Sequence, residues 1–123
     1  GGGTYSGGVT NSIIYFNQSS AGSNTVSSAV SYSCTAPDPG GEGNRADTPL
    51  FVQNGSGAGA SLALGNYRLS RGSPCRNAGT NEPWMETAQD LDGRPRLDRH
   101  LGGVVDLGAY EYHVEPGSVG TVR

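Results

Sequence analysis

At 123 residues the chain has the length of one domain, and its net charge of −3 is too small to favour disorder despite only 33% hydrophobic residues. All eight basic residues are arginines and form no basic patch, which excludes a nucleic-acid or anionic-membrane role. No apolar run approaches a membrane span, and the 21 glycines favour a tightly wound backbone.

Five segments have the composition of strands: 11–17, 29–34, 49–52, 66–70 and 104–112. The first four begin about 17 to 20 residues apart, which is about one coil of a parallel β-solenoid. The last, VVDLGAYEY, is the most strand-like run of the chain. The predicted fold is therefore all-β, a solenoid, with a β-sandwich as the alternative.

The segments between the strands are rich in turn-forming residues, such as PDPGGEGN and NGSGAGAS, and are predicted to be surface loops. Asn11, Asn17, Asn24 and Asn44 fall at strand ends or corners, where Asn tolerates left-handed backbone and hydrogen-bonds between coils. These residues indicate coil corners rather than a glycan-reading surface.

From residue 70 the pattern changes. Ser73-Pro74 and Glu82-Pro83 each resemble the start of a short helical turn. We therefore predict β-helix coils over residues 1–70 and a loop-rich cap and tail of the same domain over 71–123. Trp84, beside Met85, is expected to pack over an exposed end of the core, with a sugar platform as the alternative.

Five segments in a fixed order carry a family resemblance: GGGTYSGGVTNSIIYFN, GEGNRADTPLFV, YRLSRGSPCRNAGTN, WMETAQDLDGRPRL and VVDLGAYEY. Together they resemble the C-terminal module of bacterial right-handed parallel β-helix proteins of the choice-of-anchor Q type, in the pectate-lyase-like superfamily. The resemblance implies a right-handed solenoid, a secreted or cell-surface location and a role as a helix terminus. It implies no particular activity, and the tail HVEPGSVGTVR departs from the pattern.

Cys34 and Cys75 are the two cysteines, 41 positions apart and outside any CxxC pair. A zinc site would need four ligands, which leaves His100 and His113 as the remaining candidates, so a metal role is not favoured. We predict a disulfide between the two cysteines, which would restrict the unfolded chain by on the order of 3 to 4 kcal/mol. Two buried free thiols are the alternative.

Acidic and basic residues crowd into the predicted cap. The DLDG turn, with Asp90 and Asp92, is a weak calcium candidate because hard cations bind several carboxylate oxygens, but its spacing does not match an EF-hand. The favoured interpretation needs no cofactor and makes the cluster structural. It pairs arginines with carboxylates of the last predicted strand: Arg94, Arg96, Asp106 and Glu111.

The sequence predicts no catalytic residue. A polysaccharide lyase would need carboxylates and arginines aligned on successive coils, whereas these residues crowd into the cap. His100 and His113 lack a GxSxG partner and are expected to be solvated surface residues.

Aromatic residues occur about once per predicted coil. If their rings shared one exposed face, they would form a polysaccharide-binding strip. The candidates for glycan contact are Tyr5, Tyr15, Tyr32, Tyr67 and Trp84.

A solenoid exposes its strand edges and core at both ends unless they are covered. The C-terminal half supplies a lid, whereas the segment GGGTYSGG supplies none. The sequence therefore predicts a structural role in adhesion or surface assembly, in which the N-terminal edge docks on upstream coils of a parent chain or on another copy. The alternative is a carbohydrate-binding or polysaccharide-cleaving β-helix.

Overall fold

The computed structural model describes residues 3–17, 24–56, 63–97 and 103–112. Its strands are β1 (Thr4–Tyr5), β2 (Gly8–Thr10), β3 (Ile13–Ile14), β4 (Thr25–Val26), β5 (Ala29–Ser31), β6 (Cys34–Thr35), β7 (Phe51–Gln53) and β8 (Asn66–Leu69). A 3-10 helix spans Pro83–Glu86, where a short helical turn is predicted. The structure is thus strands and loops with almost no helix, which confirms the all-β class.

Three parallel strand pairs share one register. β1 pairs with β4, β2 with β5 and β3 with β6, so that Thr4 faces Thr25 and Ile13 faces Cys34. The separation between partners is 21 residues in every pair, as it is between the facing hydroxyls of Thr10 and Ser31. The segments Thr4–Ile14 and Thr25–Thr35 therefore pair in parallel with a constant offset of 21 residues.

The corners between these strands repeat with the same spacing. Ser6 and Ser27 both have positive φ, 56° and 51°, and so do Asn11 and Tyr32, at 56° and 45°. Left-handed backbone is unfavourable for residues other than Gly and Asn. These left-handed residues recur at the spacing of 21 residues that the paired strands have.

The parallel pairing then shortens and ends. Arg45 forms a parallel bridge with Cys34, and Asn44 Nδ2 donates to Val30 O at 2.8 Å. Beyond it, residues 49–70, predicted as two further parallel coils, contain an antiparallel hairpin in which Phe51 on β7 faces Leu69 on β8. The prediction of parallel strands there is wrong. The segment between β7 and β8 is mostly small residues, with little apolar volume to fill a coil interior.

The C-terminal half, which in the described part of the chain is residues 66–97 and 103–112, packs on one face of the β3–β6 pair. Cys34, Leu69, Cys75 and Leu107 form a buried cluster, against which Ile13 packs. Side chains of consecutive strand residues point to opposite faces, so Ile13 and Cys34 look toward this segment. Ile14, on the other face, lies beside Gly3 instead. The C-terminal half thus covers a side face of the strands.

The segment 104–112 is not a strand, so that prediction is wrong. Its backbone N–H groups bond to separate partners: Leu107 N donates to Cys75 O and Gly108 N donates to Asn11 O, each at 3.0 Å. Val105 and Leu107 are fully buried, with Asp106 almost completely buried between them. The run reads like a strand because it alternates large apolar residues, but its partners are loops.

Candidate functional site

Four aromatic rings contact one another in a row, in which Tyr15 and Phe51 are half-buried against the core cluster and Phe16 and Tyr67 are exposed. The ring centroids of Tyr15 and Phe16 lie 4.9 Å apart, those of Phe16 and Phe51 6.5 Å, and those of Phe51 and Tyr67 5.2 Å. Phe16 is 52% exposed and Tyr67 46%. The row joins β3 to the β7–β8 hairpin, and we call it the aromatic row.

The structure brings together two of the five predicted glycan contacts, Tyr15 and Tyr67. No ring contact among the described residues joins Tyr5, Tyr32 or Trp84 to the aromatic row. Tyr32 instead donates its hydroxyl to Glu42 at 2.7 Å, and this hydrogen bond raises the pKa of Tyr32.

Trp84 is 59% exposed, whereas its neighbour Met85 is 1% exposed. The prediction that Trp84 packs over the core is therefore wrong. The two residues are adjacent in a 3-10 helix, in which consecutive side chains point about 120° apart. Met85 takes the inward position and leaves the indole outside.

The DLDG turn holds its carboxylates in protein hydrogen bonds. Asp90 Oδ1 accepts from the N–H groups of Asp92 and Arg94 at 2.8 and 2.9 Å, and its Oδ2 accepts from Glu111 N at 2.8 Å. Asp92 pairs with Arg68 through both oxygens, at 2.8 and 2.5 Å. These partners use the oxygens that a calcium ion would need, and in the described part of the chain no group of three or more His, Cys, Asp or Glu residues is placed to hold a metal.

Nearly buried carboxylates hold residues 103–112 in place through hydrogen bonds. Asp106 accepts from Asn77 N at 2.6 Å and from Tyr112 N at 2.5 Å, while Glu111 Oε1 accepts from Asp106 N at 3.0 Å. Arg96 Nη2 donates to Gly108 O at 2.9 Å. We call Asp90, Arg96, Asp106 and Glu111 the buried carboxylate cluster.

Arg96 Nη1 lies 3.4 Å from Glu111 Oε2, with both side chains nearly buried. An ion pair would lower the pKa of Glu111, yet burial raises it to about 8. The second effect wins, because 3.4 Å is longer than a charged hydrogen bond and Oε2 has no hydrogen-bond partner. Burial also raises the pKa of Asp106. The neighbouring carboxylates Asp106 and Asp90 also raise the pKa of Glu111, whereas Arg96 lowers it.

The predicted pairing of arginines with the end of the chain therefore takes a specific form. Arg96 contacts Glu111, whereas Asp106 bonds backbone N–H groups. Arg94 contributes its own N–H to Asp90. The sequence analysis did not predict that Asp90 accepts hydrogen bonds from the backbone N–H groups of its own turn. An Asp two positions before another acid in a D-x-D-G turn is the signal that could have found it.

Cys34 and Cys75 are free thiols, both fully buried in one cluster, and Cys34 Sγ donates to Asp47 O at 3.0 Å. Cys34 belongs to β6, and Cys75 lies in a turn of the C-terminal half. The two cysteines, 41 residues apart in sequence, thus come from the two halves of the molecule.

Asp90 and Asp106 accept from backbone N–H groups, and Asp92 pairs with Arg68. His100 and His113 lie outside the described residues. Of the part of the chain that the structure covers, no helix has the length and apolarity to cross a bilayer.

Phe16 and Phe51 are members of the aromatic row that sequence reasoning missed. The pattern Tyr15-Phe16 held the signal, since adjacent strand residues cannot both point inward.

Comparison of the chain with protein-family models, with curated proteins and with solved structures gives no match.

Proposed function

We propose that the chain is a structural segment of a secreted or cell-surface protein built as a right-handed parallel β-helix. The observation that carries the proposal is the parallel register of 21 residues, shared by three strand pairs and by their left-handed corners. A repeat that stacks on itself in parallel is the unit of a β-solenoid. The right-handed sense rests on the general preference of parallel crossover connections.

The family resemblance supports the location and the role. The opening GGGTYSGG unit resembles the coil repeats of choice-of-anchor Q proteins, and it contains β1 and the start of β2. Those proteins are secreted or surface-bound. The chain would serve adhesion or surface assembly as the C-terminal part of such a body, with the segment after residue 66 holding the strands together.

The outer edge of the first coil is the surface that would dock. Among the described residues, β1, β2 and β3 each pair with one strand only. Ala29 N donates to Gly7 O and Asn11 N to Tyr32 O, so Gly7 and Asn11 face the second coil. Because backbone groups alternate along a parallel strand, the N–H groups of Gly8 and Thr10 face the other way. An edge of this kind pairs with another strand, either a preceding coil or a second copy.

Sedimentation velocity on Gly8→Lys tests the docking edge. A Cβ at Gly8 meets no atom within 4 Å, so the side chain fits and places a charge on the edge. We expect the wild-type chain to self-associate with rising concentration and Gly8→Lys to remain monomeric. Gly72→Lys is the matched control, since it is equally open but lies away from β1–β3. A wild-type chain that stays monomeric at millimolar concentration would remove self-association.

A second candidate function is carbohydrate binding, and the aromatic row favours it. Exposed aromatic rings stack on the apolar faces of sugar rings, and exposed Gln53 and Asn54 stand on the same hairpin as Phe51 and Tyr67. The row's polar neighbours would orient the sugar hydroxyls.

Affinity electrophoresis in gels containing a neutral polysaccharide distinguishes this role. Retardation of the wild type that is lost in Tyr67→Ala would support it. Tyr5→Ala is the control, because Tyr5 is 71% exposed and has no ring contact with the row. Equal mobility of all three proteins across a panel of polysaccharides would argue against glycan binding.

A further inference from the structure

An Asn-Gly pair lies just after β7, in the hairpin that carries Phe51 and Tyr67 of the aromatic row. Asn54 is exposed, and Gly55 follows it before the hairpin closes through a bridge at Ser56. Among the described residues, no hydrogen bond engages the Asn54 side chain or the N–H of Gly55. The side-chain amide and the following backbone nitrogen are therefore both available to react with each other.

The packing of the hairpin requires glycine at position 55. A Cβ added to Gly55 would overlap the Tyr67 hydroxyl and would lie 3.0 Å from Ala63 O. A larger residue would therefore push the two arms of the hairpin apart. The close approach of the arms thus keeps, directly after Asn54, the residue type that shields its own backbone nitrogen least, because glycine has no side chain.

A second pair of similar chemistry, Asp92-Gly93, is held in place by its surroundings. Gly93 N donates to Asp90 O at 3.0 Å, so this backbone nitrogen is already engaged. The Asp92 carboxylate accepts from Arg68 through both of its oxygens. The chain thus contains one unrestrained pair at residues 54–55 and one restrained pair at residues 92–93, and the second is an internal control for the first.

We propose that Asn54 is a site of spontaneous deamidation, which changes the charge and the backbone of the β7–β8 hairpin. The Gly55 nitrogen loses its proton to solvent and attacks Cγ of Asn54, and the side-chain nitrogen leaves as ammonia, so that a five-membered succinimide ring forms. Water then adds to one of the two ring carbonyls and opens the ring. Opening on one side gives aspartate, and opening on the other gives isoaspartate, in which the main chain runs through the side-chain carbon. The net reaction consumes one water and releases one ammonia, without oxidation or reduction.

Each product alters the hairpin at a defined place. Aspartate adds one negative charge next to the glycine that lies against the Tyr67 hydroxyl. Isoaspartate also lengthens the main chain by one carbon atom between two pairings, which are Gln53 with Asn66 and Ser56 with Ala63. The two pairings can then no longer keep one register. The reaction therefore converts this end of the aromatic row into a charged form as the protein ages, whether or not the row binds a glycan.

The first experiment compares the folded with the unfolded chain. The full chain is incubated at about pH 8 in water labelled with heavy oxygen, with and without guanidinium chloride, and mass spectrometry then follows the tryptic peptides 46–68 and 77–96. We expect Asn54 to deamidate at nearly the same rate in both conditions, and several-fold faster than Asn66 of the same peptide. Asp92 should form isoaspartate several-fold more slowly in the folded chain than in the unfolded one. A rate at Asn54 that is several-fold lower in the folded chain, or equal to the rate at Asn66, would overturn the proposal.

The second experiment tests the effect on the hairpin. The isoaspartate form is isolated by ion exchange, and hydrogen exchange is measured at Ser56 N and Ala63 N, which donate to each other's carbonyl oxygens at 2.9 and 2.7 Å. Both amides should exchange several-fold faster in the isoaspartate form and at the original rate in Asn54→Asp, which gains the charge alone. Asn54→Gln is the matched control, because its longer side chain does not favour the five-membered ring and the variant should stay unmodified. Equal exchange in the isoaspartate form and in the unreacted chain would refute the change of register.

Discussion

The first strand pairs and the C-terminal half are ordered in different ways. Thr4–Ile14 and Thr25–Thr35 share one backbone register, and main-chain hydrogen bonds join their equivalent positions. Residues 73–97 and 103–112 show no such repeat, and side chains such as those of Asp90 and Asp106 accept from individual N–H groups of their turns. A repetitive chain thus obtains order from periodicity, whereas a non-repetitive one needs a specific acceptor at each turn.

Apolar burial follows the opposite distribution. The largest fully buried side chains, Met85, Leu107 and Val105, all belong to the C-terminal half, which has almost no regular secondary structure. The N-terminal strands bury the smaller apolar residues Ile14 and Val30 together with the polar Ser33 and Thr35. Among the described residues, the irregular half therefore contributes the largest of the fully buried apolar side chains.

The largest effect is expected from Leu107→Ala. Leu107 is fully buried in the cluster that contains Cys34 from the coils and Cys75 from the C-terminal half. Removing its side chain leaves a cavity at the boundary and should lower the free energy of unfolding by about 4 kcal/mol in urea titrations. Val104→Ala, at an exposed neighbour, should change it by less than about 0.5 kcal/mol. Similar losses for both variants would mean that the boundary is not packed as described.

The next effect is a pH dependence confined to the C-terminal half. The pKa of Glu111 is about 8 in the folded chain against its ordinary value of 4.5, so the folded state holds a proton that the unfolded state has lost. The stabilisation is complete below pH 4.5 and is lost as pH rises through 8. Between pH 5 and 8 the free energy of unfolding should fall by roughly 3 kcal/mol because of Glu111.

The variant Glu111→Gln tests whether Glu111, rather than another titrating group, causes this pH dependence. The amide mimics the protonated acid and keeps an acceptor for Asp106 N, so the variant should lose most of the decline between pH 5 and 8. Glu42→Gln, at an exposed position, should retain the wild-type profile. A decline that persists unchanged in Glu111→Gln would show that the ion pair with Arg96 keeps Glu111 charged.

For the N-terminal strands, the sequence predicted the type of element better than the length of the repeat. Apolar runs located β3, β5 and β6, but the estimated period of 17 to 20 residues was shorter than the true 21. The correct period is visible when TYSGGVTNSII is aligned with TVSSAVSYSCT, which share Thr, Ser, Val and Ser at equivalent positions. Apolar composition obscures this repeat, because small hydroxyl residues fill many of its positions.

For the C-terminal half, the sequence indicated which residues take part in the contacts but not how those residues are arranged. The sequence predicted that Arg94 or Arg96 pairs with Asp106 or Glu111, of which the structure shows Arg96 with Glu111, and it placed a helical turn at Pro83. It could not show that 104–112 bonds to loops, since alternation of apolar residues reports burial on one side and says nothing about the partner's backbone. The aromatic row was also hidden, because its members come from the turn after β3, from β7 and from β8, and local sequence pattern does not encode such long-range placement.

Asn11 is where the two regions share one side chain, and its loss should have an intermediate effect. Asn11 Nδ2 donates to Thr80 O at 2.9 Å, and Oδ1 accepts from Thr80 N at 2.7 Å. Asn11→Gly removes both bonds while allowing the positive φ of 56°, and should cost about 2 kcal/mol in urea unfolding. Ser27→Gly is the control, since Ser27 has a similar φ but is exposed. An equal change in both variants would attribute the effect to backbone freedom.

The smallest effect is expected at the most conspicuous ion pair. Arg68 donates to both oxygens of Asp92 and its guanidinium lies 4.6 Å from the centre of the Tyr110 ring, yet the Arg68 side chain is half exposed. Water and salt screen such a pair, and ordering two flexible side chains offsets much of its attraction. Arg68→Ala should therefore shift Tm by no more than a degree or two at low salt, and the shift should vanish in 0.5 M NaCl. Asp92→Asn removes the charge but keeps the ring contact, so a larger loss in Arg68→Ala than in Asp92→Asn at high salt would assign the remainder to Tyr110. A Tm change in either variant comparable with that of Leu107→Ala would show that the C-terminal half depends on its surface charges as much as on its buried ones.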